Sequence, residues 1–173
     1  MVDERPRLRA VAFPLVTTFV IPAKPGGKTR LGDAALAQAM LLDVCDACAA
    51  LGPVLVCDEA GGQNAAVAGA LRTLQGPVVV VNADVPAVTS DELRALVAAT
   101  PALVAARDGT TNAVALADAT DFTESYGPGS AARFGLPRLE LSGLVDDVDT
   151  WDDLLRIAGR VGAHTRRALE VKV

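Results

Sequence analysis

Four consecutive valines, Val78 to Val81, constrain this chain more than any other stretch. A continuous β-branched run of that kind suits a strand buried on both faces, which requires helices above and below a sheet. The rest of the chain agrees, because strand-like and helix-like segments alternate almost throughout. The strand-like segments are residues 16–21, 54–57, 78–82, 103–106 and 113–116, with weaker ones at 139–141 and 144–148. Helical patterns cover 33–51, 63–74, 90–99 and 150–161, with a short one near Ser130 and a last one near Thr165. Such alternation predicts an α/β fold with a parallel or mixed sheet covered by helices. At 173 residues the chain reads as one domain, residues 13–173, preceded by a loose extension over residues 1–12.

Composition removes several function classes. Aromatic residues are 3% of the chain, too few for the stacking platforms of single-strand nucleic-acid binders. A net charge of −5 opposes broad contact with a phosphate backbone, so no nucleic-acid partner is expected. No apolar run approaches the roughly 20 residues of a membrane span. The thiols of Cys45 and Cys48 lie at helical spacing with Met40, Leu41, Val44 and Leu51. That places them on a buried helix face rather than in a metal site, and a cytoplasmic location fits.

In open α/β sheets, ligands bind at the carboxyl ends of the strands, and the polar motifs of this chain all fall at such ends. After the first strand comes Lys24-Pro-Gly-Gly-Lys28-Thr-Arg30, a glycine-rich basic loop leading into a helix near Asp33. Backbone N–H groups and cationic side chains in that layout hold phosphate. Gly27-Lys28-Thr29 matches the end of a Walker A motif, but the motif's first glycine would fall on Pro22, which has no N–H to give. After the valine strand comes Asn82-Ala-Asp84-Val-Pro86, whose Asp84 can meet a ligand at the top of the sheet. The densest acidic run is Asp146-Asp147-Val148-Asp149, followed by Thr150 and Asp153 as a capping box. In extended geometry Asp147 and Asp149 share a face. Asp147 is the freer ligand; for Asp149 a second-ligand role and a helix-cap role are both open. One carboxylate from each acidic cluster would suit Mg²⁺. Asn64, after Gly61 and Gly62, could cap a helix or contact a nucleobase. The segments 108–112 and 126–130 are polar and turn-rich, and Gly127-Pro-Gly-Ser130 could open a short helix facing an anion.

Taken in order, Ile21-Pro-Ala-Lys24, Lys28-Thr-Arg30-Leu31, Ala83-Asp84-Val-Pro-Ala87, Gly109-Thr-Thr-Asn112, Gly127-Pro-Gly-Ser130 and Asp147-Val-Asp-Thr150 form a set. In this set the chain resembles the guanylyltransferases of coenzyme F420 biosynthesis, which act on 2-phospho-L-lactate or phosphoenolpyruvate. The resemblance spans about residues 16 to 160. It implies a Rossmann-like, three-layer nucleotidyltransferase (GT-A-like) fold with a mixed, mostly parallel sheet. It also implies a GTP-dependent reaction that releases pyrophosphate, with Mg²⁺ as cofactor and a small phosphorylated carboxylic acid as acceptor. Carried across, Lys24, Lys28 and Arg30 would grip the triphosphate and, with Asp84, do the catalytic work. Asp84 and Asp147, with Asp149 beside them, would hold the metal. Thr111, Asn112, Gly127 and Ser130 would contact the acid, and Gly62 and Asn64 would face guanine. Three features depart from the family pattern: a shorter basic loop, a truncated segment after Cys57, and Phe134 where relatives often have histidine. A nucleotidyltransferase with a molybdopterin- or sugar-phosphate-type acceptor, or a non-catalytic nucleotide-binding relative, are the alternatives. The oligomeric state is open, a homodimer being one option.

Overall fold

A computed structural model of the chain describes residues 16–24, 31–58 and 61–171. Five strands form one sheet: β1 (Thr18–Ala23), β2 (Val54–Asp58), β3 (Val78–Val81), β4 (Ala102–Ala105) and β5 (Thr111–Leu116). Their spatial order is β2-β1-β3-β5-β4. β1 runs parallel to both β2 and β3, whereas β5 is antiparallel to β3 and to β4. The sheet is therefore mixed, as the alternation of elements implied. Seven helices accompany it: α1 (Ala34–Ala49), α2 (Gln63–Leu71), α3 (Ser90–Ala98), α4 (Ser130–Phe134), α5 (Ser142–Val145), α6 (Trp151–Ile157) and α7 (Ala163–Glu170).

Successive strand residues point to opposite faces, and the core divides accordingly. Phe19, Ile21, Val79, Val81 and Val104 pack with Val44, Cys48, Leu93, Leu96 and Leu144, so α1, α3 and α5 cover one face. Val20, Val78, Val80, Leu103 and Val114 pack with Val67, Leu71, Tyr126 and Ala131, so α2 and the α4 region cover the other. All four residues of β3 are buried, the condition that its valines foretold. A third cluster joins Leu36 and Met40 of α1 to Val148, Leu154, Ile157 and Val161, seating α6 and α7 on the outside of α1.

Pro22 sits inside β1, although proline is poorly tolerated within a sheet. The register explains it. Thr18 N–H donates to Pro77 O on the β3 side, and Phe19 N–H donates to Pro53 O on the β2 side. Continuing that alternation, the missing N–H of Pro22 falls on the β3 side, where pairing has already ended at Val20–Val80. β1 and β3 part at that point. The chain passes from β1 outward to β2 and then back across to β3, so this gap is the topological switch point of the sheet.

Two of the weaker strand expectations need correction. Residues 144–148 do not form a strand: Leu144 and Val145 close the short helix α5, and 146–148 are irregular. Leu144 is fully buried in the first core cluster, and packing of that side chain, not its β-propensity, decides the local conformation. Residues 139–141 form no strand either: the bridge to Leu103 falls on Arg138, just before them, and Leu139 N–H donates to Leu103 O at 2.9 Å. Of the two thiols expected to be buried, Cys48 is and Cys45 is only half-buried. Cys48 is buried, with burial and the neighbouring Cys45 pushing it up to about 12, so it is inert at neutral pH.

Helix α7 has no cap of its own, its N-cap being Gly162. Asp43, from the middle of α1, supplies one by accepting from His164 N–H and Thr165 N–H, both at 2.9 Å. A Cβ at position 162 would come within 2.4 Å of the Asp43 carboxylate, so only glycine permits this approach. Asp43→Ala would leave two helix donors without their acceptor. It is expected to lower stability by about 2 kcal/mol in urea unfolding, and Gly162→Ala is expected to destabilise in the same direction.

Candidate active site

The candidate site is built on one backbone contact. Val148 N–H donates to Asp84 O at 2.9 Å, joining two segments far apart in sequence. Asp84 follows β3 and is buried. On the other segment the extended chain alternates. Asp146 and Val148 are buried on one side, and Asp147 and Asp149 turn to the other, half-exposed. One carboxylate oxygen from each of Asp84, Asp147 and Asp149 lies within 4.8 Å of the others. The shared face read from the sequence is borne out, and Asp149 joins the cluster on equal terms with Asp147. The helix cap belongs instead to Thr150, which accepts from Asp153 N–H while Asp153 receives Thr150 N–H at 2.9 Å. Three close carboxylate oxygens are a hard, all-oxygen donor set, which fits Mg²⁺ or a similar divalent cation.

Asp146 does different work. Arg107 Nε donates to it at 2.7 Å and Arg160 at 2.5 Å, with Arg156 at 3.7 Å. Burial pushes its carboxyl up, but the hydrogen bonds from Arg107 and Arg160 prevail and hold it below the ordinary value of 3.8. It anchors the segment from behind. α5 is held equally closely, since Gly143 N–H donates to Glu92 at 2.7 Å and a Cβ there would meet Ala87 O at 2.4 Å.

The carboxylates face a cleft of about 720 Å³ at the carboxyl ends of β1, β2 and β3. Lys24 lines it from the end of β1, and Thr111, Asn112, Gly127 and Ser130 line the wall beyond Asp84. Ser130 Oγ donates to Thr111 Oγ1 at 3.0 Å, and both residues are buried. The loop before Ser130 takes φ of +119° at Gly127 and +72° at Gly129, values that L side chains seldom adopt. Gly127-Pro-Gly-Ser130 does open a helix, α4. Phe134, at the end of α4, completes a three-ring cluster in which it meets Tyr126 edge-on, centroids 5.4 Å apart. That packing roots the loop. Lys28 and Arg30 lie outside the described residues.

Asn64 is placed differently from both sequence expectations. It does not cap α2, whose N-cap is Gly62 with φ of +96°. Its carboxamide pairs with the backbone of Tyr126, accepting from the N–H at 2.9 Å and donating to the carbonyl at 3.3 Å. Asn64 therefore splints the 126–130 loop, and neither it nor Gly62 lines the cleft. Gln63 does line it, beside Asn82. Sequence reasoning passed over both. Asn82 was within reach because it ends the valine strand, whereas nothing in the sequence distinguished Gln63 from its neighbour.

The architecture, an α/β fold with a mixed five-stranded sheet, is shared with a solved structure. A crystal structure from Desulfovibrio desulfuricans G20, provisionally described as a nucleotide-diphospho-sugar transferase, superposes with a TM-score of 0.58 at 17% identity. The match covers 82% of this chain and 85% of that one. No protein-family model matches the chain. In sequence it is 42% identical to the phosphoenolpyruvate guanylyltransferase of Sphaerobacter thermophilus over 112 aligned positions. That alignment takes in 56% of this chain and 54% of the relative, so the chain spans about half the length of the curated protein that it matches. The resemblance to these guanylyltransferases is thus borne out over the aligned part.

Because the folded Asp146 carboxyl titrates below its unfolded counterpart, its contribution is complete above the unfolded value and fades as pH falls through the folded one. Asp146→Asn is expected to cost about 2 kcal/mol at pH 7. The difference from the wild-type chain should shrink below about pH 4, as stability measured by urea titration at several pH values will show.

Proposed function

We propose that the chain is a GTP-dependent guanylyltransferase that joins GMP to phosphoenolpyruvate or 2-phospho-L-lactate and releases pyrophosphate, as in coenzyme F420 biosynthesis. The observation that carries this reading is the three-carboxylate cluster facing a cleft of nucleotide size, with Lys24 across from it. The similarity to a named phosphoenolpyruvate guanylyltransferase supports the choice of nucleotide and acceptor. Among the described residues no helix is long and apolar enough to cross a membrane, in keeping with small polar substrates and a cytoplasmic setting.

The reaction needs little from the protein except placement and charge. An oxygen of the acceptor's phosphate attacks the α-phosphorus of GTP in line, the α–β bridging bond breaks, and pyrophosphate leaves with that electron pair. The attacking phosphate is already ionised near neutral pH, so no general base is required. Asp84, Asp147 and Asp149 would hold Mg²⁺, which when bound stabilises negative charge developing on the phosphates. Lys24, with Lys28 and Arg30 from the same loop, would neutralise the triphosphate. Thr111, Gly127 and Ser130 would receive the acid on the opposite wall, where the paired hydroxyls and the positive-φ glycines bring polar groups close.

The test is pyrophosphate release with GTP and Mg²⁺, offering phosphoenolpyruvate, 2-phospholactate and 3-phosphoglycerate separately. Release with one of the first two establishes the reaction and names the acceptor. Silence with all three, from protein that still binds GTP, would point to another acceptor or to a non-catalytic role. Asp84→Asn is expected to lower turnover by at least about a hundredfold while leaving the unfolding midpoint close to that of the wild type. Near-normal turnover in that variant would remove Asp84 from the mechanism.

A further inference from the structure

A chain of side-chain amides runs beneath the cleft and ends at the carboxylate cluster. Gln63 Nε2 donates to Asn82 Oδ1 at 2.7 Å, and Asn82 Nδ2 donates to Asn112 Oδ1 at 3.3 Å. Asn112 is almost completely buried. Its Nδ2 donates to Leu144 O at 2.9 Å and Val145 O at 3.3 Å, and it lies 3.5 Å from Asp147 Oδ1. The last contact is at the outer limit for a hydrogen bond, so the hold comes mainly from the two carbonyls. Those carbonyls end α5, where helical partners run out. They stand just before the turn that delivers Asp147. With both amide hydrogens directed to this segment and its oxygen taken by Asn82, Asn112 has little left to offer a ligand.

We propose that Asn112 is a positioning residue: it fixes the α5 end so that Asp147 stands beside Asp84, and thereby sets the site's affinity for a divalent cation. This rests on the metal-dependent reading given above, and it replaces the expectation that Asn112 grips the phosphorylated acid. The geometry is selective. β5 carries Asn112, and Asn82 N–H donates to the backbone carbonyl of Asn112 at 2.9 Å, so the amide is referenced to the same sheet that presents Asp84. Partners behind a metal ligand that hold its orientation commonly govern affinity by tenfold or more.

The experiment is a Mn²⁺ titration of the full chain followed by electron paramagnetic resonance, without nucleotide or acid, on the wild type, Asn112→Ala and Asn82→Ala. Turnover is measured in parallel against Mg²⁺ and against the acid. Asn112→Ala is expected to weaken Mn²⁺ binding about tenfold and to raise the Mg²⁺ needed for half-maximal turnover. The KM for the acid at saturating Mg²⁺ should stay within about twofold, since no ligand contact has been lost. Asn82→Ala removes the donor that orients the Asn112 carboxamide and is expected to act in the same direction, about threefold. It decides the matter alone if Asn112→Ala does not fold. Unchanged Mn²⁺ affinity in the folded variants overturns the proposal, and a raised KM for the acid would return Asn112 to the acceptor's wall. A wild-type chain that binds no Mn²⁺ would overturn the metal reading itself, and this inference with it.

Discussion

The hydrogen bond from Val148 N–H to Asp84 O is the contact on which the rest of the site depends. All four residues of β3 are buried, so Asp84 is fixed to the end of a strand held on both faces. The 146–149 segment belongs to the outer layer and has no strand of its own to define it. The single backbone hydrogen bond at Val148 ties it to the end of β3. Period-two alternation then sends Asp147 and Asp149 to the cleft and Asp146 and Val148 to the interior. Val148 adds an apolar anchor in the third core cluster, and Asp146 adds an ionic one through Arg107 and Arg160.

The opening that receives a ligand comes from a mismatch in the sheet. β1 and β3 pair only over three residues each and separate where Pro22 withholds an N–H. A residue with a donor at that position would favour longer pairing and a narrower gap. Loss of a ladder bond there weakens the sheet locally. In exchange, backbone from the end of β1 and the Asp84 turn can diverge around a substrate. Proline at this position thus both excludes a P-loop and helps to open the cleft that takes its place.

Much of this was legible in the sequence for identifiable reasons. The valine run fixed the central strand because no partly exposed environment suits four consecutive β-branched residues. The capping box at Thr150 and Asp153 marked the start of α6, and extended alternation brought Asp147 and Asp149 together. What escaped reading were side-chain amides. Asn64 carries the same chemistry as a helix cap or a base-reading group, yet it pairs with the backbone of Tyr126, 62 residues away. Asn112 looked like a turn residue exposed to a ligand; it lies within β5, buried, with its amide donating to the end of α5. An amide can donate and accept, so its role depends on long-range neighbours that local pattern does not reveal. Residues 144–148 misled for a related reason: Leu144, Val145 and Val148 suggest a strand, but Leu144 packs on a helix-covered face and tertiary packing overrides propensity.

The acidic run also separates a carboxylate paired with arginines from carboxylates grouped with one another. Asp146 is surrounded by guanidinium groups from Arg107, Arg156 and Arg160, which makes it an internal counter-ion. Its immediate neighbour Asp147 is instead grouped with Asp84 and Asp149, oxygens within 4.8 Å. Ionised pairs at that separation repel by on the order of 3 kcal/mol at an effective dielectric of 20. A fold selected for stability alone would separate such groups. This one uses a strand end, a backbone hydrogen bond and a buried amide to hold them together. A divalent cation turns that repulsion into binding free energy, because each charge that opposes the empty cluster favours the filled one. The reading of these three aspartates as a metal site therefore rests less on their number than on how much of the surrounding structure is arranged to keep them close.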